Sequence, residues 1–358
     1  MYDLHQFTTT RIAMGDLLQF TDKGIYCDQA GVYLDPWKPV EKAIISHGHS
    51  DHAYPGHQHY LCTTGAMPVI KHRLYLSNNI QTLPYGEVLL INGVNFSFHP
   101  AGHIPGSAQI RVEYKCEVWV FSGDYKLQED GISTPFEPIP CQAFITESTF
   151  GLPIYKWKSQ QEVFDDINQW WAKNKSEGKA SVITGYTLGK SQRILKNVNH
   201  SIGKIFTHGA VDSINEVMRS QGLDLPAAPR VSDKIFKEDL KGALIICPPS
   251  AVGSPWVRRF LPYSLGVASG WMKLRGTRRR RGADRGFVLS DHADWNDLNI
   301  AIRETGAEKV YVTHGYSEIF AHWLNTQGIE AHEVKTKYEG ELGEMAETSS
   351  VAEENEIQ

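Results

Sequence analysis

The segment His47-Gly-His-Ser-Asp-His52 constrains this chain more than any other part of it. Within six residues it offers three imidazoles and one carboxylate. A divalent metal needs several nitrogen or oxygen donors at about 2.0 to 2.2 Å, and a tight loop after a strand can supply them together. His47 and His49 are predicted to serve one ion, and Asp51 and His52 a second. Metal-assisted hydrolysis is the reaction class that follows.

Short apolar runs elsewhere in the chain also end in residues that can carry chemistry. These runs span residues 117–124, 143–147, 286–292 and 309–314. Each is too short for a helix and is rich in β-branched or aromatic residues, so each is predicted to be a strand. Polar residues that recur at strand ends place a site on loops at one edge of a β-sandwich. Apolar residues at helical spacing in 160–175 and after Asp294 make the chain α/β or α+β.

The middle of the chain is predicted to be an inserted second domain. Residues 151–266 contain strand, helix and turn signals of their own but contribute almost none of the histidine-rich strand ends. With 358 residues, the chain exceeds the size at which one hydrophobic core stops growing. We therefore expect residues 1–150 and 267–337 to form the main domain. Residues 338–358 hold seven acids and no Lys or Arg, and are predicted to be a disordered tail.

The composition narrows the class of protein. Hydrophobic residues make up 41% and charged residues 22% of the chain, and no apolar run approaches the roughly 20 residues of a membrane span. No secretion signal is visible either, so we expect a cytoplasmic location and no membrane association. The five cysteines are scattered without a Cys-x-x-Cys pair, which argues against disulfides and zinc knuckles. The formal net charge is −5, but the residues before the acidic tail carry +2 in total.

The His-x-His-x-Asp-His run is typical of the metallo-β-lactamase superfamily, and the chain resembles that superfamily along its length. The resemblance implies an αββα sandwich with two divalent metal ions, zinc by preference and manganese as the alternative. Asp35 matches the supporting aspartate of the family, which we assign to the catalytic set together with Asp51. The implied ligands are His47, His49 and His103 for one ion, Asp51, His52 and His314 for the other, and Asp124 as the bridge.

The resemblance extends to the β-CASP nucleases, the branch of this superfamily that cuts DNA and RNA. Its motifs match residues 146–151 with Glu147, residues 289–294 with His292, and His314. The family places a cap domain between the first two motifs, which coincides with the insertion at 151–266. His292, oriented by Glu147, is implied to protonate the departing sugar oxygen. From the residues alone, Glu147 could equally cap a helix.

Within that branch, the chain is most similar to bacterial exonucleases associated with DNA ligase. The similar segments are residues 33–40, 269–281, 284–295 and 312–316. They imply a DNA exonuclease that acts in DNA repair and end processing, with a DNA ligase and a helicase as partners. A histidine at the position of His314 is commonly linked to RNA-acting members, so an RNA-processing nuclease is the alternative. A non-catalytic scaffold that binds nucleic acid would lack ligands, and none is missing here. The insertion and the arginine run disfavour a small-molecule hydrolase.

A basic run precedes the strand that leads to His292. Between Lys273 and Arg285 it sets seven Lys or Arg residues against one acid. Guanidinium groups there would grip phosphates without regard to sequence, and a solvated loop is the alternative. The predicted phosphate contacts are Arg275, Arg278, Arg279, Arg280 and Arg281.

Residues 184–191 resemble a phosphate-binding P-loop without matching it. Three residues separate Gly185 from Gly189, where the P-loop needs four, so ATP binding is excluded. The strand-turn-helix setting still predicts that backbone N–H groups at Lys190 and Ser191 meet a phosphate of the nucleic acid, with a plain structural turn as an equally good alternative. Stacking on bases is an option for Trp256, Trp271 and Trp295, but core packing is the commoner fate of tryptophan.

Overall fold

The fold was examined in a computed structural model that describes residues 16–232, 234–274, 276 and 282–338. Two mixed β-sheets pack face to face at its centre. In hydrogen-bonded order, the first sheet contains β1 (Gln19–Phe20), β2 (Ile25–Cys27), β3 (Val32–Leu34), β4 (Lys42–Ile44), β5 (His59–Thr63) and β6 (Ile80–Leu83). The second contains β18 (Glu330–Glu333), β17 (Lys309–Gly315), β11 (Ala143–Ser148), β10 (Glu117–Phe121), β9 (Ala108–Tyr114), β8 (Val94–Pro100) and β7 (Val88–Ile91).

Apolar side chains that alternate along these strands fill the space between the sheets. On β8, Val94, Phe96 and Phe98 point to one face because successive side chains of a strand alternate. They meet residues of the first sheet such as Leu34 and Ile44 in one buried cluster. The removal of this apolar surface from water is the main force that holds the sandwich together.

Helices cover both outer faces of the sandwich. Ile70 of α1 (Met67–Leu74) packs on the first sheet. Leu298 of α7 (Trp295–Thr305) and Phe320 of α8 (Ser317–Thr326) pack on the second sheet. The layers are therefore helix, sheet, sheet and helix, which is the predicted αββα arrangement.

A third, all-parallel sheet forms the inserted unit. Its order is β13 (Ile205–Thr207), β14 (Leu244–Cys247), β12 (Ala180–Thr184), β15 (Tyr263–Ala268) and β16 (Arg285–Phe287). The helices of this unit are α2 (Gln160–Ser176), α3 (Lys190–Asn197), α4 (Gly209–Ser220), α5 (Lys237–Leu240) and α6 (Pro255–Arg258). Short 3₁₀ turns lie at Pro249–Ala251, before α6, and at Gly270–Lys273, after β15. Buried clusters lie on both faces of the sheet, as expected for parallel strands.

Helix caps fix where two of these helices begin. Ser159 and Glu162 form a reciprocal capping box at the start of α2. Asp294 caps α7, as predicted, because its side chain accepts hydrogen bonds from the backbone N–H groups of Asn296 and Asp297. The other oxygen of Asp294 accepts the backbone N–H of Trp157 at 2.7 Å, which ties the start of α7 to the segment that leads into α2.

The structure corrects two predicted boundaries. Strand β15 crosses the proposed limit at residue 266, and β16 pairs with β15 in parallel, so the sheet of the inserted unit extends to Phe287. The apolar run 286–292 is thus a strand only at its start, in a different sheet from the one expected. Tyr338, which we assigned to the tail at 338–358, is buried because its ring packs against Trp37 and His52. The rest of the tail lies outside the described residues.

Among the helices that the structure describes, none is long and apolar enough to cross a membrane.

Candidate metal centre

Strands of the two central sheets deliver the predicted metal ligands to one edge of the sandwich. The loop after β4 carries His47 to His52, the loop after β8 carries His103, and the loop after β10 carries Asp124. His314 is the penultimate residue of β17. Strands β8, β10 and β17 run in the same direction, so their carboxyl ends meet at this edge. All the predicted ligands are buried.

The first group of donors comprises His47, His49, His103 and Asp124. One ligand atom from each lies within 4.8 Å of the others. His49 Nδ1 and His103 Nε2 are 3.0 Å apart, and His47 Nε2 is 3.5 Å from Asp124 Oδ2. Three imidazoles and a carboxylate at these distances surround a space that suits a single cation.

The second group shares Asp124 with the first. His52 Nε2 and His314 Nε2 lie 3.4 and 3.1 Å from Asp124 Oδ1. Asp51 Oδ2 is 3.7 Å from His52 Nε2, which places it at the same group. Because Asp124 turns Oδ2 to the first group and Oδ1 to the second, its carboxylate has the geometry of a bridge.

Unsatisfied polar atoms show that these residues fit a metal. His47 Nε2, His52 Nε2, His314 Nε2 and both oxygens of Asp124 are buried and make no hydrogen bond of acceptable geometry with any residue that the structure describes. Each buried unpaired polar atom costs about 1 to 3 kcal/mol. Five such atoms that face one another are stabilised together by a divalent cation, so the donor set fits the metal centre that the family implies.

The tautomer of each imidazole is set by an acceptor on its outer side. His52 donates from Nδ1 to Asp35 at 2.7 Å, and His47 donates from Nδ1 to the Ser46 hydroxyl at 2.9 Å. His314 donates from Nδ1 to Thr313 Oγ1 at 3.2 Å. Because the outer nitrogen keeps the proton, the inner nitrogen presents its lone pair to the centre of the site.

Backbone carbonyls from later in the chain set the tautomers of His49 and His103. His49 donates from Nε2 to the carbonyl oxygen of Leu188 at 3.2 Å, and His103 donates from Nδ1 to that of Asp291 at 2.7 Å. Leu188 lies directly before α3, in the inserted unit. The inserted unit therefore contacts the metal-binding residues themselves.

Electrostatics favour the ligand form of His47, His103 and Asp124. Burial would lower the pKa of His52, but the carboxylates of Asp124 and Asp51 outweigh it and raise that pKa well above its usual value. Burial, reinforced by the charge of His52, lowers the pKa of His47 well below its usual value. Burial and the neighbouring His292 do the same to the pKa of His103. Burial alone would raise the pKa of Asp124, but His52 and His292 outweigh it and hold that pKa well below the usual range. Neutral imidazoles and an ionised carboxylate are what a metal binds.

Asp35 does not face the ligand atoms and instead supports them. Its carboxylate accepts the Nδ1–H of His52, the backbone N–H of Ser46 at 2.7 Å and the Ser46 hydroxyl. Its own carbonyl oxygen accepts the hydroxyl of Tyr338 at 2.9 Å. Asp35 thus orients His52, which is the supporting role that the family resemblance implies.

Glu147 and His292 form a second buried pair beside the metal-binding groups. His292 donates from Nδ1 to the Glu147 carboxylate at 2.9 Å, and Nδ1 is 4.0 Å from Asp124 Oδ2. Glu147 also accepts the backbone N–H of Tyr125 at 2.9 Å. Because Glu147 lies within strand β11, it does not cap a helix. The pair has the geometry that an acid and its orienting carboxylate require.

The predicted phosphate contacts fall into two sets, one outside the described residues and one that is buried. Arg275, Arg278, Arg279, Arg280 and Arg281 lie outside the described residues. Lys190 and Ser191 are buried, and the backbone N–H of Ser191 donates to the carbonyl of Tyr186 at 3.0 Å, so the structure favours the plain structural turn over a contact with a phosphate. Ser191 donates to the carbonyl of Gly185, and the Lys190 ammonium turns inward to 3.8 Å from Asp291 because that buried carboxylate attracts it.

The three tryptophans considered for base stacking are packed against other aromatic rings. Trp271 contacts Phe150 in a buried cluster, Trp256 contacts Phe260, and Trp295 contacts Trp323. Core packing, the alternative stated from the sequence, describes them better.

Sequence reasoning missed several residues that support the site. The carbonyls of Leu188 and Asp291 are main-chain atoms, for which side-chain type gives no signal. Arg193, which contacts the segment before His292, stands in α3 without any motif around it. The sequence signal in this region is the P-loop-like turn at residues 184–191, which leads directly into α3.

Comparisons with known proteins agree with the site. A protein of Opitutus terrae described as a probable DNA ligase is 30% identical over 326 residues, which cover 89% of this chain and 31% of that protein. The endoribonuclease YSH1 of Eremothecium gossypii is 28% identical over 120 residues, 33% of this chain and 15% of that protein. The chain thus spans less than a third of the length of either relative. No family model matches the chain.

A solved structure from Enterococcus faecalis V583, of a protein of unknown function, has a similar fold. Its TM-score with this chain is 0.58 at 10% identity, and the match covers 83% of this chain and 80% of that one. At this identity the likeness concerns the fold alone.

Proposed function

Because the chain belongs to the β-CASP branch of the metallo-β-lactamase superfamily, we propose that it is a metal-dependent phosphodiesterase that cleaves nucleic acid. One observation carries the proposal. Asp124 is shared by two groups of buried metal donors, and the His292–Glu147 pair lies 4.0 Å from it. A centre for cations beside an oriented imidazole matches the needs of phosphodiester hydrolysis, which must stabilise phosphate charge and protonate a leaving oxygen.

We propose that two divalent ions bind, with zinc the preferred metal and manganese the alternative. His47, His49 and His103 would hold the first, Asp51, His52 and His314 the second, and Asp124 both. Imidazole with carboxylate is a donor set that suits zinc. When bound, the ions would supply Lewis-acid activation of water and neutralise the phosphate oxygens.

The remaining chemistry belongs to the side chains of the chain itself. Glu147 holds Nδ1–H of His292, so Nε2 of the imidazolium form is the atom that would give its proton to the departing ribose or deoxyribose oxygen and leave a neutral imidazole. Asp35 keeps His52 in place and takes no part in proton transfer in this account. Burial of the whole set excludes bulk water and strengthens each of these interactions.

Among substrates, we propose DNA, degraded from an end during repair beside a ligase. The support is the resemblance to ligase-associated exonucleases and the relative described as a probable DNA ligase, which aligns with 89% of this chain. The second candidate is an RNA-processing nuclease. The similarity to an endoribonuclease favours it, although that match covers 33% of this chain.

Replacement of His292 by Asn tests the acid step. We expect kcat on end-labelled DNA to fall by about 10²- to 10⁴-fold, because the leaving oxygen loses its proton donor. Metal content, measured by mass spectrometry, should stay at the wild-type level, because His292 is not among the proposed ligands.

His59→Asn is the matched control, since His59 is an exposed histidine on β5, and it should cleave DNA at the wild-type rate. A folded His292→Asn protein that cleaves DNA as fast as this control would contradict the assignment.

A further inference from the structure

Arg193 links the inserted unit to the residues around the first metal-binding group. This side chain of α3 is 1% exposed. It donates to the carbonyl oxygen of Ser290 at 2.6 Å and to the Asp291 carboxylate at 3.1 Å. The carbonyl of Asp291 is in turn the acceptor that orients His103. Arg193 therefore fixes the peptide from which His103 takes its orientation.

The guanidinium is held from several sides, so its position is well defined. Its Nε donates to Gln160 at 2.7 Å, and its second terminal nitrogen donates to Gln128 at 3.2 Å. A planar group with donors in a fixed fork loses little further freedom when its acceptors are already in place.

The charges around Arg193 form a buried network. Lys190 and Arg193 both approach Asp291, and Lys126 binds Asp130 at 2.6 Å nearby. Without Arg193, Asp291 keeps Lys190 at 3.8 Å but loses its nearer cationic partner at 3.1 Å, so this buried carboxylate is less well compensated.

This support is confined to one of the two donor groups. His49 takes its orientation from the carbonyl of Leu188. His103 takes its orientation from the carbonyl of Asp291, a residue that Arg193 also contacts. In the second group, His52 and His314 are oriented by Asp35 and Thr313, which belong to the central sandwich. Among the described contacts, the inserted unit thus supports His49 and His103 of the first group, while His47 and the second group are held from the sandwich.

We propose that Arg193 is a positioning residue through which the inserted unit sets the affinity of the first metal site. The inference rests on the proposed metal centre. It adds that the metal affinity of the first site depends on a residue that is not itself a ligand. Residues that orient a metal-binding imidazole change metal affinity by about 10- to 100-fold when they are replaced. A loss of Arg193 should weaken one ion by that factor and leave the other unchanged.

The test measures zinc affinity in the full chain by competition with a chromogenic chelator, for wild type and Arg193→Gln. Wild type is expected to bind two ions, and Arg193→Gln to hold one of them about 10- to 100-fold more weakly. The weakened ion should be the one that His103→Ala also loses, so Arg193→Gln added to His103→Ala should cause no further loss. Arg193→Lys, which can still donate one hydrogen bond, should weaken the same ion by an intermediate factor.

Asn197→Ala is the matched control. Asn197 lies one turn farther along α3, where its side chain donates to the carbonyls of Asp130 and Arg193 and accepts from Gln160. It shares the surroundings of Arg193 but, among the described contacts, is not bonded to Ser290 or Asp291, so it separates a general loosening of this interface from the loss of the guanidinium. Asn197→Ala should keep both zinc affinities.

Three results would overturn the inference: a folded Arg193→Gln or Arg193→Lys protein with both affinities unchanged, both ions weakened equally, or Asn197→Ala with the same loss. If Arg193→Gln does not fold, Arg193→Lys alone decides. A wild-type chain that binds no zinc would instead overturn the proposed function together with this inference.

Discussion

At the scale of single residues, Asp35 shows how the site is held in place. Its φ of +38° lies in the left-handed region, which costs a non-glycine residue about 1 to 3 kcal/mol. Hydrogen bonds from Ser46 and His52 to its carboxylate, and from Tyr338 to its carbonyl, keep it there. The backbone conformation and the orientation of His52 are thus maintained by the same contacts.

His57 supplies a prediction about pH that does not involve the metal centre. It is buried, and its Nδ1 accepts the backbone N–H of Val40 at 3.3 Å. Burial lowers its pKa to about 4, against about 6.5 in the unfolded chain. Between these values only the unfolded chain binds the proton, so the contribution of His57 to stability is present above pH 6.5 and is lost as pH falls towards 4.

Replacement of His57 by Asn keeps an acceptor for Val40 and removes the titration. From pH 7 to pH 5, the wild-type free energy of unfolding should fall by about 2 kcal/mol more than that of the variant. Thermal and urea unfolding at both pH values measure this difference. If the two proteins lose stability in parallel, His57 is protonated in the folded state and the account of its burial is wrong.

Residue types in the sequence predicted the donors and the supporting Asp35, but not the main-chain carbonyls that orient His49 and His103. Histidines and aspartates at recognisable spacings carry their chemistry in their side chains, which is why His47 to His52, His103, Asp124 and His314 could be named in advance. Leu188 and Asp291 act through carbonyl groups whose direction depends on how α3 docks. The predicted phosphate contact at Lys190 misses that Asp291 lies next to its side chain, because the sequence does not show that neighbour.

At the scale of elements, the end of β17 shows why position in the sheet matters. His314 is followed by Gly315 at φ +90°, and a Cβ there would lie 2.3 Å from the carbonyl oxygen of Ser148 on the neighbouring strand β11. Only glycine allows the two strands to approach so closely directly after a metal-binding residue. Periodicity identified β17, but it could not show which strand lies beside it.

The run 286–292 illustrates the same limit. Its apolar pattern predicted a strand, and Arg285–Phe287 is one. The pattern did not show that this strand completes the sheet of the inserted unit, because pairing partners are set by long-range contacts. The chain leaves that sheet before His292, which lies in an irregular segment held by Glu147.

The segment that ends at Tyr338 is predicted to stabilise the second donor group. The ring of Tyr338 stacks on the ring of His52, with centroids 4.5 Å apart and an angle of 11° between the planes. Tyr338→Phe removes one buried hydrogen bond and should cost about 1 kcal/mol of unfolding free energy. Tyr338→Ala also leaves a cavity and should cost about 3 to 5 kcal/mol.

Chemical denaturation of the two variants measures both losses. Tyr75→Ala serves as the control, because Tyr75 is 92% exposed and its truncation should be nearly neutral. If Tyr338→Ala is as stable as Tyr75→Ala, the end of the described chain does not support the site.

At the scale of the whole molecule, the inserted unit and the sandwich meet at the metal centre. Leu188 and Arg193 approach it from one side, and Asp35 and Tyr338 support it from the other. The αββα layers followed from the pattern of strands and the family resemblance. The dependence of the site on α3 could not be predicted from the sequence, because it arises from contacts between residues about 100 positions apart in the chain.

The central claim is that this buried centre hydrolyses nucleic acid. The most direct measurement is cleavage of matched DNA and RNA strands, labelled at either end, by zinc- or manganese-loaded protein, with Asp124→Asn and chelator as controls. We predict single-nucleotide products released from one end of the DNA, and none with Asp124→Asn or in chelator. Cleavage of RNA with DNA left intact would shift the substrate to the second candidate. Both polymers intact after incubation with a folded, metal-loaded wild-type chain would contradict the account.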